Sequence, residues 1–247
     1  MPFYFINNEN RSGDTITIPL PLSHHLLHVL RYQTGDSLTL VDEERNGYKV
    51  KIIGRIGEGL ETKIESKLES RLQSTPRIHL GIALLKGDRT DWAIQKGTEL
   101  GADCISVLMT RHVVVKIQND KIARQQKRWF EIAKEAAQQS ERFEIPQIDP
   151  PMKFSSFLEQ TQAANFKLFF WEKEPSFSSL RTAIQSKKTA TAATLAILIG
   201  PEGGWAKEEV DQAIEKGYIS VSLGRRLLRA ETATLAALSI LQYEIGK

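Results

Sequence analysis

The sequence predicts an α/β protein in two parts: a small β-barrel over residues 1–73, then a parallel sheet covered by helices on both faces over residues 74–247. Two observations carry this reading. Before residue 74, short β-like stretches alternate with glycine-containing turns. After it, near-continuous apolar strands alternate with amphipathic helices. Strands that are apolar throughout belong to parallel sheets buried on both faces.

In the first part, Phe3 to Ile6, Thr15 to Ile18, Ser37 to Val41 and Tyr48 to Ile53 read as strands, punctuated by Gly13, Gly35-Asp36 and Asn46-Gly47. Asn-Gly between alternating segments is a two-residue hairpin signal. Ser23 is placed to cap a helix over His24 to Arg31, which Gly35 follows. The polar stretch Ser70 to Pro76 reads as a linker. Beyond it come a strand at Ile78 to Leu85, a helix at Thr90 to Leu100 stopped by Gly101, and a strand at Cys104 to Met109. A long helix follows over Asp120 to Ser140, with Ile122, Trp129, Phe130, Ala133 and Ala137 on one face. Apolar strands at Phe166 to Trp171, Leu195 to Ile199 and Ile219 to Leu223 alternate with helices from about Ala206 to Lys216 and from Glu231 to Tyr243.

Composition narrows the class. Of 247 residues, 41% are hydrophobic and 26% charged, which suits a globular chain with a proper core. A net charge of +3 confines any nucleic-acid surface to local patches. One cysteine, Cys104, excludes an internal disulfide and a Cys-only zinc site, and its apolar surroundings mark a core thiol. The N-terminus lacks a basic n-region, and no apolar run approaches the ~18 residues of a transmembrane helix, so a cytoplasmic protein is expected.

The chemistry concentrates near the C-terminus. The strand Leu195 to Ile199 empties into Gly200-Pro201-Glu202-Gly203-Gly204, and in open α/β sheets ligands sit at the carboxyl ends of strands. Glycines there let the backbone approach a ligand, and Glu202 suits a ribose hydroxyl or a cation. The next strand ends in Gly224-Arg225-Arg226-Leu227-Leu228-Arg229-Ala230-Glu231-Thr232-Ala233. Three arginines in five residues are a costly cluster without an anionic partner.

These motifs identify a resemblance. The segment ILIGPEGGWAKEEVDQAIEKGYISVSLGRRLLRAETATLAAL resembles the C-terminal signature of the RsmE-type ribosomal RNA methyltransferases of the SPOUT superfamily. The match continues through KGDRTDWAIQKGTELGADCI and EAAQQSERFEIPQI, and HHLLHVLRYQTGD looks like that family's PUA-like RNA-binding barrel. The resemblance implies a C-terminal trefoil knot, a homodimer, and methylation of uracil N3 at one uridine of small-subunit ribosomal RNA within an assembled or nearly assembled subunit. It implies S-adenosyl-L-methionine as cofactor, held by Trp171-Glu172, Gly200 to Gly204 and Leu223 to Ala233, with Thr232 among the last group. Adenine would meet the backbone near Ile199, Leu223, Gly224 and Leu228. Three positions depart from the family pattern: Ala206 replaces a helix-capping Ser or Thr, Ala230 replaces a Thr, and Phe3 stands where an Arg is common.

Uracil N3 carries an imide proton, so it becomes nucleophilic only as that proton leaves. Arg229 is the candidate for stabilising the developing anion, and Glu202 or Glu231 for accepting the proton. Candidate RNA contacts are Arg31, Lys86, Arg111, Arg124, Lys127, Arg128, Arg142, Arg225 and Arg226. The alternatives are methylation of another RNA atom, such as a ribose 2′-hydroxyl, or a non-catalytic RNA-binding assembly factor. No metal site is expected: the pair His24 and His28 lacks any Glu of a zinc-binding motif and any nearby Cys.

Overall fold

The computed structural model describes residues 3–68, 76–114, 117–171, 180–186 and 194–245. The chain forms two compact units, Met1–Leu72 with Ala137–Glu144, and Gln73–Ala136 with Ile145–Lys247. Of the expected linker, only Pro76 falls within the described residues.

In the first unit, strands β1 (Phe3–Phe5), β2 (Arg11–Ser12), β3 (Thr15–Ile18), β4 (Ser37–Val41), β5 (Gly47–Ile56) and β6 (Gly59–Leu68) form one sheet in the order β1-β4-β5-β6-β3-β2. β6 escaped the sequence reading because GLETKIESKL is largely polar, yet its Leu60 and Thr62 are buried. Asn46-Gly47 is not a two-residue turn. Val41 pairs with Gly47, and residues 42–46 form a longer loop. The Asp42 carboxylate sets that loop, accepting from the backbone N–H groups of Glu44 and Asn46 and from the Asn46 side chain. Ser23 does not cap a helix either. It lies buried inside the short helix α1 (Leu22–His24), which runs into a π-helical turn at His25–Val29, and its hydroxyl donates to the Glu58 carbonyl. Phe3, at the position where an Arg is common in the family, is a core residue. Its ring packs edge-on against Phe143 at 5.2 Å, tying residues 137–144 to this unit.

The second unit carries β7 (Arg77–Ala83), β8 (Cys104–Met109), β9 (Gln147–Ile148), β10 (Met152–Lys153), β11 (Phe166–Phe170), β12 (Thr194–Ile199) and β13 (Ile219–Val221). The sheet order is β10-β8-β7-β12-β11-β13, with β9 alongside β8, and every pairing is parallel. The helices are α2 (Arg89–Glu99), α3 (Ile122–Gln139), α4 (Phe154–Gln160), α5 (Leu180–Ser186), α6 (Lys207–Glu215) and α7 (Ala230–Ile245). Successive side chains of β12 serve opposite cores. Leu195, Ile197 and Ile199 enter the larger apolar cluster, whereas Ala196 and Leu198 enter the smaller. Both faces are therefore covered, which is why the strand reads apolar at every position.

Helix α2 buries Ala93, Ile94 and Gly97 and stops where Gly101 takes a φ of +88°. The Gln242 side chain of α7 donates to the Leu100 carbonyl there at 3.0 Å, satisfying one acceptor left over by the helix end. Trp129 of α3 is completely buried with its indole N–H donating to Asp91, so a large apolar side chain is buried without stranding its donor. Among the described residues, no helix is long and apolar enough to cross a membrane.

Candidate functional site

Since β12, β11 and β13 are adjacent and parallel, their carboxyl ends open side by side. A cleft of about 490 Å³ lies there, a volume typical of small-molecule sites. Its walls are Phe170 and Trp171 after β11, Ile199 to Gly204 after β12, and Val221 to Ala230 with Ala233 after β13. Trp171, Ile199, Gly200, Glu202, Gly203, Gly204, Leu223, Gly224, Leu228 and Ala233, singled out from sequence, thus line one cleft. Thr232 is exposed and does not line it, and Glu172 lies outside the described residues. Apolar walls, glycine backbone and one acidic rim suit a ligand with a flat apolar ring and a polar tail.

The glycines of this loop have separate causes. A Cβ on Gly200 would lie 2.7 Å from Trp205 Nε1, so an indole ring, not a ligand, requires glycine there. Trp205 is buried and donates to the Phe170 carbonyl at 2.9 Å, linking the loop after β12 to the end of β11. Gly204 takes a φ of +71°, a conformation that other residues adopt only with strain. The loop after β8 braces this segment, with His112 Nδ1 3.0 Å from the Gly204 carbonyl. Ala206 caps α6 without a side-chain hydrogen bond, but Glu209 receives the Ala206 N–H at 3.0 Å and the Arg111 N–H at 2.9 Å. This reciprocal half of a capping box offsets the missing hydroxyl.

Arg89, a residue the sequence reading did not single out, joins the two candidate carboxylates. Its Nη1 donates to Glu202 Oε1 at 3.0 Å, and its Nε lies 3.7 Å from Glu231 Oε1. The Lys86 backbone N–H also points at Glu202, at 3.3 Å. The available signal was KGDRTDW itself, which follows β7, the strand next to β12. Arg229 differs from Arg89. It is exposed, lines the cleft, and makes no ion pair among the described residues. Arg225 and Arg226 line the same cleft.

The remaining candidate RNA contacts are distributed unevenly. Arg31 and Arg142 belong to the first unit, the former exposed and in a left-handed conformation with φ of +59°. Arg124 and Lys127 are exposed on α3, with no carboxylate partner among the described residues. Arg128, on the same helix, is committed to Asp91 through Nε and Nη2, and Arg111 lies 3.4 Å from Glu208. These two are thus engaged by carboxylates of the chain, whereas Arg124 and Lys127 are not.

A separate polar cluster forms between β7, β8 and β9. Asp149 Oδ2 accepts from Ser106 at 2.6 Å, Gln160 at 3.0 Å and the Cys104 thiol at 3.4 Å, with His79 Nε2 at 3.5 Å. Burial would raise the Asp149 pKa, but hydrogen bonds from His79, Ser106, Gln147 and Gln160 outweigh it and hold the carboxylate below its ordinary range. Burial, reinforced by Asp149, pushes the Cys104 thiol up, so it is a poor nucleophile, in keeping with a structural thiol. His79, Cys104 and Asp149 place ligand atoms within 4.8 Å of one another, but the donors already converging on Asp149 account for the arrangement without an ion. Asp149→Asn is expected to cost about 1–3 kcal/mol near neutral pH by stranding those donors. A depressed carboxylate stabilises the fold above its unfolded pKa, and that advantage fades as pH falls through about 4 toward the folded value. Denaturation at pH 7 and pH 3 should show a gap between wild type and variant that shrinks at the lower pH.

Comparison with known proteins supplies the family. Residues 73–242 match the RNA methyltransferase domain family. The chain is 30% identical to ribosomal RNA small subunit methyltransferase E of Bacillus subtilis, over 99% of this chain and 97% of that protein. It is 32% identical to the protein of the same name from Synechocystis, over 91% of this chain and 72% of that one. A crystal structure of ribosomal RNA small subunit methyltransferase E from Neisseria gonorrhoeae bound to S-adenosyl methionine superimposes with a TM-score of 0.86 at 28% identity, covering 98% of this chain and 97% of that one. Motifs, parallel-sheet architecture and full-length similarity agree: the chain belongs to the RsmE-type family of ribosomal RNA small subunit methyltransferases.

Proposed function

We propose that this protein transfers a methyl group from S-adenosyl-L-methionine to uracil N3 of one uridine in small-subunit ribosomal RNA. The observation that carries the reading is the cleft at the carboxyl ends of β12, β11 and β13. Its residues fit the cofactor: Ile199, Val221, Leu223, Leu228 and Ala233 supply an apolar wall for adenine, and Glu202 stands at the rim for ribose hydroxyls. The cofactor supplies an electrophilic methyl group on a sulfonium, which needs orientation more than activation. The chain's own task is then to hold the uracil and to manage its N3 proton. Arg229 lines the cleft with no ion pair among the described residues, placed to stabilise charge that develops on the uracil. Glu202 and Glu231 are the carboxylates available to take the proton. The reading extends to a PUA-like barrel over residues 1–73 that grips RNA, a trefoil knot at the C-terminus of residues 74–247, and a homodimer acting on an assembled or nearly assembled subunit in the cytoplasm.

The test is methyl transfer from labelled cofactor to whole small subunits and to stripped RNA, with the modified nucleotide mapped by mass. Label on a base at N3 supports the reading. Label on a ribose, or none at all, overturns it.

Arg124 and Lys127 are proposed to track phosphates, since neither has a carboxylate partner among the described residues. Replacing both by Gln should flatten the salt dependence of RNA binding by ~0.7–0.9 in log-log slope for each phosphate no longer neutralised. Arg128→Gln should flatten it less, because Asp91 already engages that guanidinium. Equal slopes for wild type and the double variant would make this face merely solvated.

A further inference from the structure

A second hollow adjoins the cleft, lined by Lys86, Gly87, Asp88, Arg89, Trp92 and Glu231. Three of its features call for a ligand. Trp92, in the first turn of α2, is 36% exposed and has no ring partner among the described residues. Lys86 is an exposed cation at the rim. Glu231 Oε2 is withdrawn from solvent with no hydrogen-bond partner among the described residues, although Oε1 faces Arg89. A buried carboxylate oxygen without a donor is costly, and such a group calls for a partner from outside the chain. Arg89 stands between the two hollows, holding Glu202 of the cleft on one side and Glu231 on the other.

The chemistry of uracil fits this set. Its Watson–Crick edge presents an imide N–H donor flanked by two carbonyl acceptors. Glu231 is an acceptor for the donor, Arg89 a donor for a carbonyl, Trp92 an aromatic face for stacking, and Lys86 a cation for the phosphate. Enzymes that modify a base in RNA take it out of its stack and hold it this way. Cytosine would set the lone pair of its N3 against the carboxylate and would be refused.

We propose that this hollow receives the target uracil, stacked on Trp92, with Glu231 accepting the N3 proton and Arg89 pairing with an adjacent carbonyl. This rests on the reading of the protein as a uracil-N3 methyltransferase. In the step, the N3 proton passes to the Glu231 carboxylate, which becomes a neutral acid. The N3 electron pair forms the new bond to the methyl carbon while the methyl–sulfur bond breaks, its electron pair remaining on sulfur.

Trp92→Ala, Trp92→Phe and Glu231→Gln, in the full-length protein, test this by single-turnover methyl transfer at varied RNA concentration, with cofactor affinity measured by calorimetry. Trp92→Ala should lower the ratio of maximal rate to half-saturating RNA concentration by roughly tenfold to a hundredfold, as loss of one base stack does. Trp92→Phe should restore most of it, and cofactor affinity should hold for both. Glu231→Gln should bind cofactor and RNA but transfer methyl slowly, with its remaining rate rising as pH is raised and the imide ionises in solution. Wild-type behaviour of Trp92→Ala, or loss of cofactor affinity in that variant without rescue by Phe, would overturn the proposal. If wild type labels N3 while the Trp92 and Glu231 variants are normal, only this assignment fails. If wild type labels a ribose, the functional reading itself has failed.

Discussion

Arg229→Ala is expected to lower the single-turnover methylation rate about 100- to 1000-fold while leaving cofactor affinity nearly intact. The argument is one of availability. Arg225, Arg226 and Arg229 line the cleft, whereas the charge of Arg89 beside it is already offset by Glu202 and Glu231. Arg229 has no carboxylate partner among the described residues and sits one residue before α7. Its backbone carbonyl, not its side chain, serves the fold, accepting the Ala233 N–H at 2.8 Å. Alanine preserves that carbonyl, so the helix start should survive the substitution. A guanidinium stays cationic at any working pH and can pair with the developing uracil anion. The competing account has the side chain shaping the loop, and it requires cofactor affinity and thermal stability to fall together with the rate. Rate, calorimetric affinity and Tm measured on one variant separate the two, and a normal rate at saturating substrates removes Arg229 from the mechanism.

The parallel half of the fold was legible because its physics is local. β12 feeds two cores at alternate positions, so its side chains had to be apolar, and glycine at 101 marks a helix end by its backbone alone. The first sheet was harder to read. Its β6 carries one buried edge among lysines and glutamates, and the loop after β4 is set by the side chain of Asp42 rather than by the Asn-Gly pair. At the site, the two loops could be found because both follow apolar strands. Arg89 could not be found by the same reasoning. It lies more than a hundred residues from Glu202, and only the placement of β7 beside β12 brings the two together. The role of Gly200 was likewise hidden, since nothing local reveals that the ring of Trp205 turns back onto it.

That close approach supports a second large expected effect. Gly200→Ala places a Cβ 2.7 Å from Trp205 Nε1 and 2.9 Å from Cε2, distances at which something must shift. The backbone cannot easily yield, because β12 pairs on both sides, with β7 and β11. The indole cannot easily yield either: it packs against Phe169 at 4.7 Å and Phe154 at 5.3 Å, and moving it breaks its bond to the Phe170 carbonyl. Overpacking of this kind costs about 1–3 kcal/mol, and stranding a buried carbonyl adds a comparable amount. Tm should fall by roughly 2–4 °C for each kcal/mol in a chain of this size. Cofactor affinity should fall as well, because Gly200 to Gly204 form one wall of the cleft. Ordinary glycine logic, in which the residue is needed for close approach of a ligand, predicts lost affinity with unchanged stability. A Trp205→Leu background distinguishes the two accounts. With the indole gone, Gly200→Ala should cost little further stability, giving a coupling of order 1–3 kcal/mol in the double-mutant cycle. An additive cycle would show that Trp205 is not what keeps position 200 a glycine.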